Sequence, residues 1–105
     1  MTSQPATTVM VSRGSSVEFS DNSAAGNHED GIDIVCCSGG VKITHSTSAG
    51  NGRYGISTET GATGNTIDSN YAFGNSVYDV IENNSTCENK WMNNTYFTSH
   101  GPCFP

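Results

Sequence analysis

The chain repeats itself with a fixed period. "SAAGNHEDGIDI" begins at Ser23, "TSAGNGRYGIST" at Thr47 and "YAFGNSVYDVIE" at Tyr71, a spacing of 24 residues each time. In register, Gly26, Gly50 and Gly74 align, as do Asn27, Asn51 and Asn75, and the apolar positions Ile32, Ile56 and Val80 follow. A period of this length makes each copy one structural unit that buries its apolar face against the next.

The unit is not helical. Gly, Asn, Ser and Thr dominate, and no apolar pattern with helical spacing persists. Short alternating stretches stand between turn residues instead: "VEF" at 17–19, "VKI" at 41–43 and "TID" at 66–68 put Phe19, Ile43 and Ile67 in one column, which Trp91 continues. "GIDIV", "GIST" and "DVIE" supply a second strand position, and the Gly-Asn pairs supply turns. Strands this short suit a coil in which each pairs in parallel with its equivalent one turn away, roughly 4.8 Å along the axis. Asn27, Asn51 and Asn75 then form one ladder of stacked amides; Asn22, Asn70 and Asn94 form a second, interrupted at Ser46.

Composition narrows the partners. The net charge is −6 with four basic residues in 105, too few to neutralise a phosphate backbone, so no nucleic acid is expected. No apolar run approaches the roughly 18 residues of a membrane span. The first residues lack the basic and apolar regions of a signal peptide, yet other features read as extracellular. Four cysteines occur in a chain of low apolar content, and Asn83, Asn84 and Asn93 begin Asn-x-Ser/Thr acceptor sequences. A piece of a longer secreted protein reconciles the two, and places the chain outside the cell or on its surface.

The pattern N-x-a-x-G-N-x-x-x-G-I, present as "NSAAGNHEDGI", "STSAGNGRYGI" and "NYAFGNSVYDV", resembles the right-handed parallel β-helix proteins. The third copy departs from Gly-Ile to Asp-Val. The ending "CENKWMNNTYFTSHGPC" is similar to the C-terminal close of secreted bacterial members of the pectate-lyase-like and copper-delivery-associated group. The resemblance implies an all-β solenoid of about four 24-residue coils over 17–105, preceded by a polar segment or partial coil at 1–16. It also implies a disulfide between Cys87 and Cys103 across the last coil. Cys36 and Cys37 are adjacent, and remain thiols, close a vicinal ring or bond another chain.

For activity the resemblance implies little, because the fold hosts lyases, hydrolases, epimerases, sugar binders and adhesins. Glu29, Asp30 and Asp33 form an acidic cluster with Arg53 one coil on, and Glu29–Arg53 reads as a surface ion pair. The Asp-Pro-His-Asp signature of epimerase relatives and the paired-Asp and Arg-x-Lys patterns of pectin hydrolases are missing. No catalytic residue, cofactor or metal is therefore expected; His28 and His100 share a 24-residue column three coils apart, and His45 lies in another. The candidate contact surface is a sugar face of Tyr54 and Tyr78, with Arg53, Asp79 and Asp30 supplying polar contacts. The expected role is a carbohydrate-associated, non-catalytic unit of a polysaccharide-processing type of protein. The alternative is a structural subunit that stacks end to end into a filament or surface layer, on copies of itself or on upstream coils.

Overall fold

Every strand in the computed structural model pairs in parallel with a strand from a neighbouring coil. Residues 9–11, 18–37 and 39–104 are described. The first complete coil holds β2 (Glu18–Ser20), β3 (Ser23–Ala25) and β4 (Ile32–Ile34). The second holds β5 (Lys42–Thr44), β6 (Thr47–Ala49) and β7 (Tyr54–Thr58), and the third β8 (Thr66–Asp68), β9 (Tyr71–Phe73) and β10 (Tyr78–Glu82). Partial turns flank them: β1 (Val9–Val11) on β4, then β11 (Lys90–Met92) on β8 and β12 (Ser99–His100) on β10. Of the stretch 1–16 only β1 is described; the remainder of that expected segment lies outside the described residues.

The strands assemble into three sheets, ordered β1-β4-β7-β10-β12, β11-β8-β5-β2 and β3-β6-β9. Phe19, Ile43, Ile67 and Trp91 are register partners, as are Ile32, Ile56 and Val80, so the columns read from the sequence are the ones that stack. The core is narrow: Ile32, Ile34, Val41, Ile43, Ile56, Ile67 and Val80 fill it, with Ala24, Ala62 and Ala72 where the wall comes close.

Two bends per coil keep the strands to a few residues. Gly26, Gly50 and Gly74 adopt φ of 69°, 64° and 67°, a left-handed conformation that costs glycine nothing. The other bend recurs at Asp21, His45, Ser69 and Asn93, with φ of 56°, 50°, 63° and 57°. Asp and Asn tolerate that region through local hydrogen bonds, and the pattern fixes His45 as a turn residue.

The coil count departs from the expected four. Val80 pairs with Ser99, a step of 19 residues where the preceding step, Ile56 to Val80, is 24. The chain cuts across the end of the solenoid instead of completing a turn, giving three full coils and fragments. Both disulfides are closed, Cys87–Cys103 and the vicinal Cys36–Cys37. The first ties the shortened last turn to the chain leaving β10.

Candidate functional site

Tyr54 and Tyr78 open β7 and β10 and are direct register partners. Their rings lie within 13° of parallel with centroids 6.3 Å apart, an offset stack. His100 continues it, 5.0 Å from Tyr78, and the Arg53 guanidinium sits over the Tyr54 ring at 5.1 Å. The expected column of His28 and His100 does not form, because the 19-residue last step carries His100 to Ile81 and beside Tyr78. Both tyrosines are half-buried. Stacking turns their faces toward each other, so the ridge presents ring edges and hydroxyls more than open faces.

Arg53 pairs differently from the sequence expectation. Its Nε and an Nη donate to the two oxygens of Asp30 at 2.8 and 3.1 Å, while Glu29 stays 4.0 Å away. The bond to Asp30 raises the guanidinium's pKa above its ordinary value despite the opposing effect of burial. Asp30 is buried beneath the turn and also receives the Tyr54 N–H at 3.4 Å. It is the counter-ion of Arg53, not a surface contact.

Asp79 also points inward. Its Oδ1 accepts the Asn75 amide at 2.9 Å and the Asn75 N–H at 3.2 Å; its Oδ2 accepts the N–H groups of Phe97 and Thr98 at 3.0 and 3.1 Å. The column explains why. Positions 31 and 55 are glycine, and a Cβ on Gly55 would lie 2.5 Å from the Asn75 amide of the next coil. At position 79 the next coil offers no such asparagine, since Ser99 stands 24 residues after Asn75. The carboxylate enters that space and takes the place of the missing rung. Burial pushes its pKa up, but the Asn75, Phe97 and Thr98 donors outweigh burial and hold it below the usual carboxylate value.

The rungs above are as expected: Asn27 donates its amide to Asn51 Oδ1 at 2.9 Å, and Asn51 to Asn75 Oδ1 at 2.8 Å. In the second ladder Asn70 donates to Asn94 at 3.0 Å. Asn22 departs, turning its amide to Ser20 O because Ser46 is too short to receive it. A third ladder, Asn65 to Asn89 at 3.0 Å, escaped the sequence reading because Val41 stands at its first rung. It too ends on a carboxylate. Glu82 accepts from Asn89, Trp91 Nε1, Thr58 Oγ1 and Asn84 Nδ2. Burial raises its pKa, and the donors from Trp91, Asn84, Thr58 and Asn89 more than reverse that. Asn84 is thereby a poor glycan acceptor, since the same Nδ2 also bonds the carbonyls of Glu59 and Ala62. Asn83 and Asn93 are exposed.

Asp33 is the exception among these acids. It is buried, its Oδ1 has no hydrogen-bond partner, and its pKa is pushed up to about 8 by burial, then by the neighbouring Glu59 carboxyl and by Asp30. The acidic cluster of the sequence is therefore dispersed: Glu29 outward, Asp30 to Arg53, Asp33 toward Glu59. Among the described residues no group of three or more His, Cys, Asp or Glu is arranged to hold a metal ion.

The open aromatic surface lies elsewhere. Tyr71, Phe73, Val77, Met92 and Phe97 are the exposed large apolar side chains among the described residues, all from the third coil and the turn after it. Tyr71 and Phe73 flank the inward Ala72 on β9, their ring centroids 4.5 Å apart, and Phe97 is 71% exposed. Small residues occupy the equivalent places above, Ser23 and Ala25, then Thr47 and Ala49. The alternation Tyr-Ala-Phe was the available signal: Ala72 aligns with Ala24 in the inward column, which leaves the rings outside.

A family model described as a right-handed beta helix region matches residues 2–98. No curated protein and no solved structure matches the chain.

Proposed function

The chain belongs to the right-handed β-helix family, and we propose that within it the chain serves as a carbohydrate-associated binding unit that is not itself catalytic. The observation that carries this reading is the confinement of the exposed large apolar side chains to residues 71–97. Tyr71, Phe73 and Phe97 present rings on a sheet braced by asparagine ladders, and the Tyr54–Tyr78–His100 ridge opens the next sheet of the same solenoid. Aromatic faces on a rigid support bind sugar rings at low ordering cost. The carboxylates beside the tyrosines, Asp30 and Asp79, are buried and committed to donors, which leaves no acid–base pair next to the aromatics. Two disulfides suit an oxidising, extracellular setting, and among the described residues no helix is long and apolar enough to cross a membrane.

Affinity electrophoresis through gels containing soluble polysaccharides tests the reading. Retardation of the native chain should be lost in Tyr71→Ala combined with Phe97→Ala, with the unfolding midpoint unchanged. A chain that migrates freely through every polysaccharide would sink the proposal, and so would measurable depolymerisation.

End-to-end assembly is the second reading. Among the described residues β2 and β3 have no neighbour on their outer edge, which favours it. At the other end Asp79 and Glu82 already satisfy the donors that a stacked copy would need to meet. Assembly through the open edge alone therefore stops at a pair. Filaments in electron micrographs would overturn that limit.

A further inference from the structure

We propose that the aromatic surface selects uncharged polysaccharides and rejects polyuronates and sulfated glycans, an inference that rests on the carbohydrate reading above. A glycan anion held in water needs a cation free to pair with it. Among the described residues the permanently cationic side chains are Lys42, Arg53 and Lys90. Lys42 and Lys90 lie on β5 and β11, in the four-stranded sheet, whereas Tyr71 and Phe73 lie on β9 and the tyrosine ridge opens β7 and β10. Arg53 alone stands at the ridge.

Arg53 is already spoken for. Asp30 takes two of its donors from a buried position, and Glu29 stands 4.0 Å from a third nitrogen contact. One positive and two negative charges meet there, so the local sum is minus one. An incoming uronate would have to displace Asp30, leaving a buried carboxylate without its counter-charge. Asp79 adds a further buried negative charge beneath the same corner, and the whole chain carries −6. What remains for recognition is ring contact and hydroxyl hydrogen bonding, and neither needs charge on the ligand.

The test compares each neutral polysaccharide of a panel with its carboxymethylated and its cationic derivative, by affinity electrophoresis at low and high salt. The neutral parent should retard the chain with little dependence on salt, and the carboxymethylated derivative should retard it several-fold less. Glu29→Lys reverses the local sum to plus one; it should restore retardation by the carboxymethylated polymer at low salt and leave the neutral parent's effect unchanged. Equal or stronger retardation of the native chain by the anionic derivative overturns the inference while leaving carbohydrate binding in place. Stronger, salt-sensitive retardation by the cationic derivative overturns it too, because charge would then dominate. Free migration through every polymer removes the carbohydrate reading itself, and this inference with it.

Discussion

The Asp79 carboxylate receives the Asn75 amide at 2.9 Å in the position where, one coil earlier, Asn75 Oδ1 receives the amide of Asn51 at 2.8 Å. Both acceptors also bind the backbone N–H of their donor residue. A side chain from within the third coil thus ends a ladder that a fourth coil does not continue. Asp79→Ala strands donors of Asn75, Phe97 and Thr98 and should cost on the order of 3 kcal/mol, whereas Asp79→Asn, which keeps an acceptor, should cost less. Urea denaturation of both variants checks this; equal losses would count against the capping role.

The middle rung is the next most exacting position. Asn51 receives Asn27 through Oδ1 and donates to Ala24 O, Ser48 Oγ and Asn75. Asn51→Leu should lower stability by about 2–4 kcal/mol, since several buried groups lose partners at once. Asn22→Ala is the fitting comparison, because that side chain is exposed and bonds only Ser20 O, and its cost should stay within about 0.5 kcal/mol. Asn84, outside both ladders seen in the sequence, is no neutral comparison given its bonds to Glu82, Glu59 and Ala62.

Asp33 and the two caps pull the pH dependence in opposite directions. The folded value of Asp33, about 8, exceeds its ordinary 3.8, so its contribution is best at low pH and is lost as pH rises between those values. Asp79 and Glu82 are held below their ordinary values, so they stabilise above them and lose that contribution as pH falls through the folded values. The midpoint of thermal unfolding should therefore peak in mildly acidic buffer, about pH 4–6. Asp33→Asn should gain on the order of 1–3 kcal/mol in alkaline buffer and little at acid pH. A gain independent of pH would show that ionisation of Asp33 near Glu59, Asp30 and Ser57 is not its source.

The two disulfides should differ sharply in what their removal costs. Cys87 and Cys103 are separated by 16 residues, and a loop of that size constrains the unfolded chain by about 3 kcal/mol. Cys36–Cys37 joins neighbours and closes no loop, so the paired serine variant should lose less than about 1 kcal/mol. Guanidinium midpoints of the two double variants decide it, and similar losses would mean that the vicinal ring braces its turn through contacts.

Columns were legible from the sequence wherever side chains of like size recur. Phe19, Ile43, Ile67 and Trp91 stack as read, and so do the rungs Asn27, Asn51 and Asn75. The direction of a side chain that breaks its column was not legible. Asp79 replaces a glycine, and whether it points in or out depends on the space left by the next coil, which the column itself does not state. His100 was misplaced for a related reason: the 24-residue step fails where no further coil has to be matched, and the chain takes the shorter path. The Asn65–Asn89 ladder was hidden because Val41 N–H supplies the donor at its first rung, a role the backbone performs under any side chain.

The uniform direction of the ladders makes the middle of this solenoid a natural site for lengthening. Each interior coil receives donors from the coil before it and passes its own to the coil after, so its two surfaces match the surfaces it sits between. A duplicated 24-residue segment set between the second and third coils would meet the same acceptors and donors on either side. The terminal carboxylates would stay where they are, and the barrel would grow by roughly 4.8 Å per copy. Duplication of genetic material in steps of this period therefore yields a longer protein that needs no new core, while an insertion of any other length would leave every rung without its partner.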